Sequence, residues 1–260
     1  MIRKNALMEK MKDNGPVFGP FVRISSPAVV EILGYAGFDF LILDMEHGPL
    51  GMEKVEDMVR AAAVSNITPL VRVRENNTSL IQRALDAGAQ GVLVPQIVSG
   101  DAASYALKSA YYHPRGKRGV CRFVRSANYS AIPREEYFSG INDEILTILA
   151  VEGKEAVENL DRILANPHLG VLFIGPYDMS QSMGVPGQTH SEIVKNAMKD
   201  VIRRAKTHGV MTGTFVDSLE GAKEWIGHGV KFISFYTDTG LMFDRCRQLV
   251  GELKAIDSSD

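Results

Sequence analysis

Short apolar, β-branched runs alternate along this chain with longer segments whose apolar positions recur at helical spacing. The runs predict strands over VFGPFVRIS (17–25), FDFLILDME (38–46), ITPLVRVR (67–74) and QGVLVPQI (90–97). They continue over ILTILAVE (145–152), GVLFIGPYD (170–178), VMTGTFV (210–216) and VKFISFYTD (230–238). Between them SPAVVEILGYAG, GMEKVEDMVRAAAVSN, TSLIQRALDAG and GKEAVENLDRILAN predict helices. Runs this apolar suit parallel strands covered on both faces. Glycine recurs where a helix hands over to the next strand, in AGFD, AGAQ, HGVM and HGVK, as such turns prefer. Eight such repeats predict a closed (β/α)₈ TIM barrel, one domain over residues 1–260. The alternative is an open α/β sheet, which would normally carry a glycine-rich turn after its first strand; RISSPAV is not one.

One segment breaks the rhythm. Residues 113–144 hold Pro114, Pro133 and the cluster Arg115, Arg118, Arg122 and Arg125. A loop this long in a compact domain is usually functional or an interface. The arginines either give the barrel mouth a positive field for an acidic substrate or line a subunit contact.

Composition removes several classes. A 45% hydrophobic content in 260 residues supports a sizeable core. A net charge of −2 argues against broad affinity for nucleic acid or anionic membrane. Cys121 and Cys246 form neither a disulfide framework nor a zinc signature. No apolar run reaches the roughly 18–20 residues of a membrane span, and the N-terminus does not read as a signal peptide, so a cytoplasmic protein is expected.

In a parallel barrel, chemistry gathers at the C-terminal ends of the strands. The second strand ends in Asp44, Glu46 and His47, the third in Arg72 and Arg74, the fifth in Glu152 and the sixth in Asp178. Two carboxylates at one mouth, Glu152 and Asp178, would repel each other unless a cation lay between them, and oxygen ligands suit Mg²⁺, Mn²⁺ or Co²⁺. Each would equally serve as a cap for the helix that follows, Asp178 ahead of MSQS above all. The residues alone leave both readings open. Arg72 alternates with Val71 and Val73, so it points inward and would stabilise an oxyanion, or else pair with a neighbouring acid. His47, in a Gly-Pro turn, is a base acting directly or through water, or a solvated side chain. GPYDMSQSMG places backbone N–H groups at a helix start, where a carboxylate can bind. Strands seven and eight end in TFVDS and FYTDTG, without the glycine pair of a phosphate pocket. Phe215 either lines the substrate side of the mouth or packs. No lysine ends a strand, which disfavours a Schiff base.

FDFLILDMEHGP, LVRVR, QRALDAGAQGVLVPQI, VEGKEAVENL and GVLFIGPYDMSQSMG together resemble the HpcH/HpaI family of class II pyruvate aldolases, over roughly residues 15–250. The resemblance implies a phosphoenolpyruvate/pyruvate-type barrel in a hexamer, a trimer of dimers, with C-terminal helices exchanged between subunits. It implies cleavage of 4-hydroxy-2-oxo acids to pyruvate and an aldehyde through a metal-bound enolate. Glu152 and Asp178 would hold the metal, Arg72 would steady the enolate, and His47 with Asp86 would form an acid–base pair acting through water. Asp44 and Glu46 would surround metal-bound water, and the backbone at Gly175, Pro176, Tyr177 and Asp178 would receive the pyruvate carboxylate. Two positions depart from the family pattern: Ala150 stands where many members carry Gln, and Tyr177 where a small residue is usual. Both bear on which aldehyde is used. Rival activities are 2-oxo acid (oxaloacetate) decarboxylation and a citramalyl- or malyl-CoA-type lyase, for which no CoA-binding segment is visible. A retired barrel would be expected to have lost at least one of His47, Arg72, Glu152 and Asp178.

Overall fold

The computed structural model describes residues 1–13 and 15–257. Helix α1 (Ala6–Lys12) precedes strand β1 (Val17–Val22), which is followed by α2 (Pro27–Tyr35), β2 (Phe40–Asp44), α3 (Met52–Val64), β3 (Thr68–Arg72), α4 (Thr78–Asp86), β4 (Gly91–Val94) and α5 (Gly100–Ala110). After the long insertion, which carries α6 (Arg134–Gly140), come β5 (Leu146–Val151), the short helices α7 (Lys154–Glu158) and α8 (Leu160–Leu164), β6 (Val171–Ile174), α9 (Pro176–Ser182) and α10 (Glu192–Thr207). The chain ends in β7 (Met211–Val216), α11 (Leu219–Gly227), β8 (Phe232–Thr237) and α12 (Asp238–Asp257).

All neighbouring strands pair in parallel, and β1 closes on β8, so the sheet is a barrel in sequence order. Each strand lies inside the apolar run that predicted it but is shorter, because the polar ends of those runs leave the sheet to form the rim. The predicted helix–strand glycines adopt positive φ, +96° at Gly37 and +93° at Gly88, and the turn recurs at Gly209 and Gly229. A side chain with a Cβ would be strained there, which is why glycine marks the repeat.

Two apolar layers hold the barrel. Outward-facing residues such as Leu43, Val71 and Leu149 pack against the helices. Inward-facing residues, among them Phe21, Phe40, Ile148, Phe173 and Phe232, fill the interior, with Leu7 of α1 packed into the same cluster. Phe40 and Phe232 stack with centroids 4.1 Å apart. The ring of Phe40 fits because the facing residue is Gly19, where a Cβ would lie 2.0 Å from the Phe40 carbonyl oxygen. The interior is thus packed protein rather than a pore, and any cavity must open above it, at the C-terminal rim.

The insertion at 113–144 joins the end of α5 to the start of β5, so it lies at the opposite end from that rim. Arg118 donates to Asp86 at 2.5 Å, Arg125 to the Ala87 carbonyl at 3.2 Å, and Arg115 pairs with Asp143. This corrects the expectation that the arginine cluster charges the mouth of its own barrel. Among the described residues no helix is long and apolar enough to cross a membrane.

Candidate active site

A cavity of about 300 Å³ opens at the C-terminal rim. Arg23, His47, Arg72, Glu152, Tyr177 and Asp178 line it, with Phe21, Phe173 and Phe215 as apolar walls. Five predicted site side chains therefore meet: His47, Arg72, Glu152, Tyr177 and Asp178.

Arg72 closes β3 and turns into the barrel, as its alternation with two outward valines predicts. It is 7% exposed. Its Nε and Nη2 donate to the two oxygens of Asp44 at 2.9 and 2.8 Å, and its Nη1 lies 3.1 Å from Glu46. The guanidinium sits 4.5 Å from the centroid of the Phe21 ring. This is the ion pair with a neighbouring strand's acid, and it also fixes the guanidinium in the cavity wall, so the two readings of Arg72 are compatible.

Asp44 is fully buried and does more than pair with Arg72. It also accepts from Arg23 Nε at 2.8 Å and from the backbone N–H groups of Glu46 and His47 at 3.1 and 3.2 Å. Burial pushes its pKa up, but the Arg72, Arg23 and His47 bonds outweigh that and hold it below the ordinary carboxylate value. Glu46 shifts the other way: burial raises it, and Arg72 offsets this only in part.

Glu152 directly follows β5, and Asp178 lies in the first turn of α9. Neither caps a helix: the capping positions are Gly153 for α7 and Gly175 for α9. The predicted strand 170–178 ends at Ile174, because Pro176 begins a helix at once. Glu152 accepts the Gln96 N–H at 2.9 Å and is otherwise enclosed. Burial, together with the nearby charges of Asp178 and Glu46, pushes its pKa up to about 7. An all-oxygen acidic pair of this kind fits a hard divalent cation, which would remove the repulsion. No group of three or more His, Cys, Asp or Glu among the described residues is placed to hold a metal ion. Two protein carboxylates would leave the remaining positions to water and substrate, as in an open catalytic site.

Gly175 meets this pair closely, since a Cβ there would lie 2.8 Å from Glu152 Cγ and Oε1. Its N–H donates to the Val151 carbonyl at 3.3 Å, and Pro176 has no N–H. The donors left at the start of α9 are therefore the N–H groups of Tyr177 and Asp178. The Tyr177 hydroxyl donates to Asp217 Oδ2 at 2.7 Å. Ala150 is fully buried among the inward-facing residues.

His47 is exposed at the cavity edge, with Nε2 4.0 Å from Glu46 Oε2. Asp86 is the last residue of α4 and bonds Arg118, at the far end of the barrel. The expected His47–Asp86 pair is thus not made within one chain. A helix that follows a strand runs back toward the N-terminal end, so its last residue cannot reach the rim.

Arg23, Gln96, Asp217, Tyr236 and Thr237 were not among the predicted site residues. Arg23, Asp217 and Thr237 stand at or just past strand ends, the same rule that found Asp44 and Glu152. Gln96 shows no such signal; it has a φ of +55° and serves through its backbone.

Residues 18–244 match the sequence model of the family described as HpcH/HpaI aldolase/citrate lyase. The chain is 33% identical to hydroxypyruvate/pyruvate aldolase of Paraburkholderia phytofirmans, over 96% of this chain and 98% of that protein. It is 31% identical to 5-keto-4-deoxy-D-glucarate aldolase of Enterobacter sp., over 91% of each. A solved HpcH/HpaI aldolase/citrate lyase family protein from Burkholderia cenocepacia superposes with a TM-score of 0.91 at 31% identity, covering 96% of this chain and all of that one. With its closed parallel barrel and its acidic rim cavity, the chain belongs to the HpcH/HpaI aldolase/citrate lyase family.

Proposed function

We propose that this protein is a divalent-metal-dependent aldolase that cleaves 4-hydroxy-2-oxo acids to pyruvate and an aldehyde, and runs the reverse addition. The observation that carries the reading is Glu152, an enclosed carboxylate raised to about 7 beside Asp178, in a cavity that also holds a clamped arginine. Glu152 and Asp178 would hold Mg²⁺, Mn²⁺ or Co²⁺. Such a cation, when bound, supplies Lewis acidity toward the 2-oxo group.

The chain's own groups do the rest. The N–H groups of Tyr177 and Asp178 orient the pyruvate carboxylate. His47, at the edge of the cavity, takes the C4-hydroxyl proton through water, and the C3–C4 bond breaks to release the aldehyde. The electron pair stays with the pyruvate fragment as an enolate, and Arg72 places positive charge against its oxygen. Asp44 keeps Arg72 in register. Glu46, sharing Arg72 and close enough to Glu152 to raise it, borders the same water-accessible space. A pairing of His47 with Asp86 requires a second copy of the chain, which the assembly implied by the family resemblance would supply.

Feeding the purified protein a 4-hydroxy-2-oxo acid tests this. Pyruvate and aldehyde should appear in equal amounts, and chelation or Asp178→Ala should lower the rate by about 100-fold or more. Cleavage that survives both would contradict the reading. Carbon dioxide from oxaloacetate without any aldol cleavage would favour the decarboxylase.

A further inference from the structure

The cavity has two chemically different halves. Arg72, Glu152 and Asp178 form the half assigned to pyruvate. The opposite half comes from β7, β8 and β1 and presents Phe215, Asp217, Thr237 and Arg23. Tyr177 reaches across the boundary. Its ring meets Phe215 edge-on at 5.9 Å, and its hydroxyl is bonded to Asp217. Packing does not demand that bond, because Tyr177 stands 47% exposed on α9.

We propose that Tyr177 and Asp217 form the aldehyde-recognising end of the site, selecting an uncharged aldehyde that carries a hydroxyl group over one that ends in a carboxylate. This inference rests on the aldolase reading above.

The chemistry of the pair sets the preference. The Tyr177 hydroxyl gives its one proton to Asp217 Oδ2 at 2.7 Å. What the pair itself leaves for a ligand is the phenol oxygen and Asp217 Oδ1, two acceptors and no donor. A substrate hydroxyl satisfies such a surface and a methyl group does not. A substrate carboxylate would meet the charge of Asp217 directly. Arg23 makes its ion pair with Asp44, through Nε at 2.8 Å, and not with Asp217. The cavity's two arginines, Arg23 on this side and Arg72 in the pyruvate half, are ion-paired with Asp44 and Glu46. Among the described residues Asp217 accepts from Tyr177 and makes no ion pair.

The test compares kcat/KM for addition of pyruvate to glycolaldehyde, acetaldehyde and succinic semialdehyde, with the metal-loaded enzyme. Glycolaldehyde and acetaldehyde differ by one hydroxyl, so their ratio reads the recognition, and comparing that ratio between variants cancels intrinsic reactivity. The wild type should prefer glycolaldehyde to both others. Tyr177→Phe and Asp217→Asn should each lower the glycolaldehyde-to-acetaldehyde ratio about tenfold, and Asp217→Asn should also raise use of succinic semialdehyde. A ratio unchanged in both variants would overturn the proposal. So would a wild type that prefers succinic semialdehyde, which would make Arg23 the recognising group. Deuterium exchange into the pyruvate methyl group, run on the same wild-type preparation, separates the two levels. Exchange without the predicted preference removes only this inference, whereas absence of exchange removes the aldolase reading beneath it.

Discussion

Asp44 carries a full negative charge with no contact to solvent, and it does so by accepting from two arginines and two backbone N–H groups at once. Glu152, some way round the rim and partly buried, has one backbone N–H and acidic neighbours, so burial leaves it raised rather than lowered. The contrast separates a carboxylate that supports an arginine from one whose charge a cation would stabilise. It also fixes a sign. A carboxyl whose folded pKa lies near 7, above its unfolded value near 4.3, stabilises the fold below that lower value, and the stabilisation is lost as pH rises to about 7. Glu152→Gln removes the charge but keeps the shape. In metal-free protein it should leave Tm nearly unchanged at pH 5 and raise it at pH 8 by roughly 5 °C or more. Thermal unfolding at the two pH values checks this, and an equal effect at both would show that Glu152 is not a raised carboxyl. At this scale the sequence was partly legible. The alternation of Arg72 with two valines aimed it inward, and strand ends pointed to Asp44, Glu152 and His47. That Asp86 lies at the other end from His47 within one chain was not legible, because which end of the barrel a helix terminus occupies follows from the chain's path, and the motif itself does not encode it.

Helix α9 shows the same limit one level up. GPYD reads as the end of a strand, yet the proline at the first helical position starts a helix two residues after β6 ends. The early start turns Asp178 from a strand-end residue into a first-turn residue and leaves the Tyr177 and Asp178 N–H groups free to orient a carboxylate. The approach of α9 to β5 depends on Gly175, whose absent side chain leaves room for Glu152. Gly175→Ala should therefore displace the Glu152 carboxylate and weaken Mn²⁺ binding by about tenfold or more while the barrel still folds, since the φ of −89° suits alanine. Calorimetric titration of Mn²⁺, with Tm as the control for folding, measures both. Unaltered affinity would mean that Glu152 does not hold the ion. The long insertion was legible as unusual, but its place was not. Its arginines sit at the far end because the segment enters from the bottom of α5 and leaves into the bottom of β5.

For the whole molecule, eight repeats of strand, helix and glycine were enough to read the barrel, because every repeat buries its apolar faces in the same way. Assembly was not readable from the repeats. A pointer to it lies instead at α12, where Phe243 and Leu253 are 62% and 64% exposed, with Met242 and Ile256 also exposed. Exposed apolar residues on this helix, uncovered among the described residues, fit the helix exchange that the family resemblance implies. Sedimentation of the full chain should give a mass well above the 28.5 kDa of one copy, and Phe243→Asp with Leu253→Asp should shift it toward that value. A wild type that sediments as a monomer would contradict this, and with it any pairing of His47 with Asp86. The central claim is that Glu152 and Asp178 hold a cation that, with Arg72, makes the enolate of pyruvate. Its most direct test is proton NMR of pyruvate in D₂O with stripped enzyme, to which Mg²⁺, Mn²⁺ or Co²⁺ is then added. The methyl signal should stay constant until metal is supplied, then decay, and it should stay constant throughout with Asp178→Ala. Exchange without metal, or full exchange in Asp178→Ala, would contradict the account.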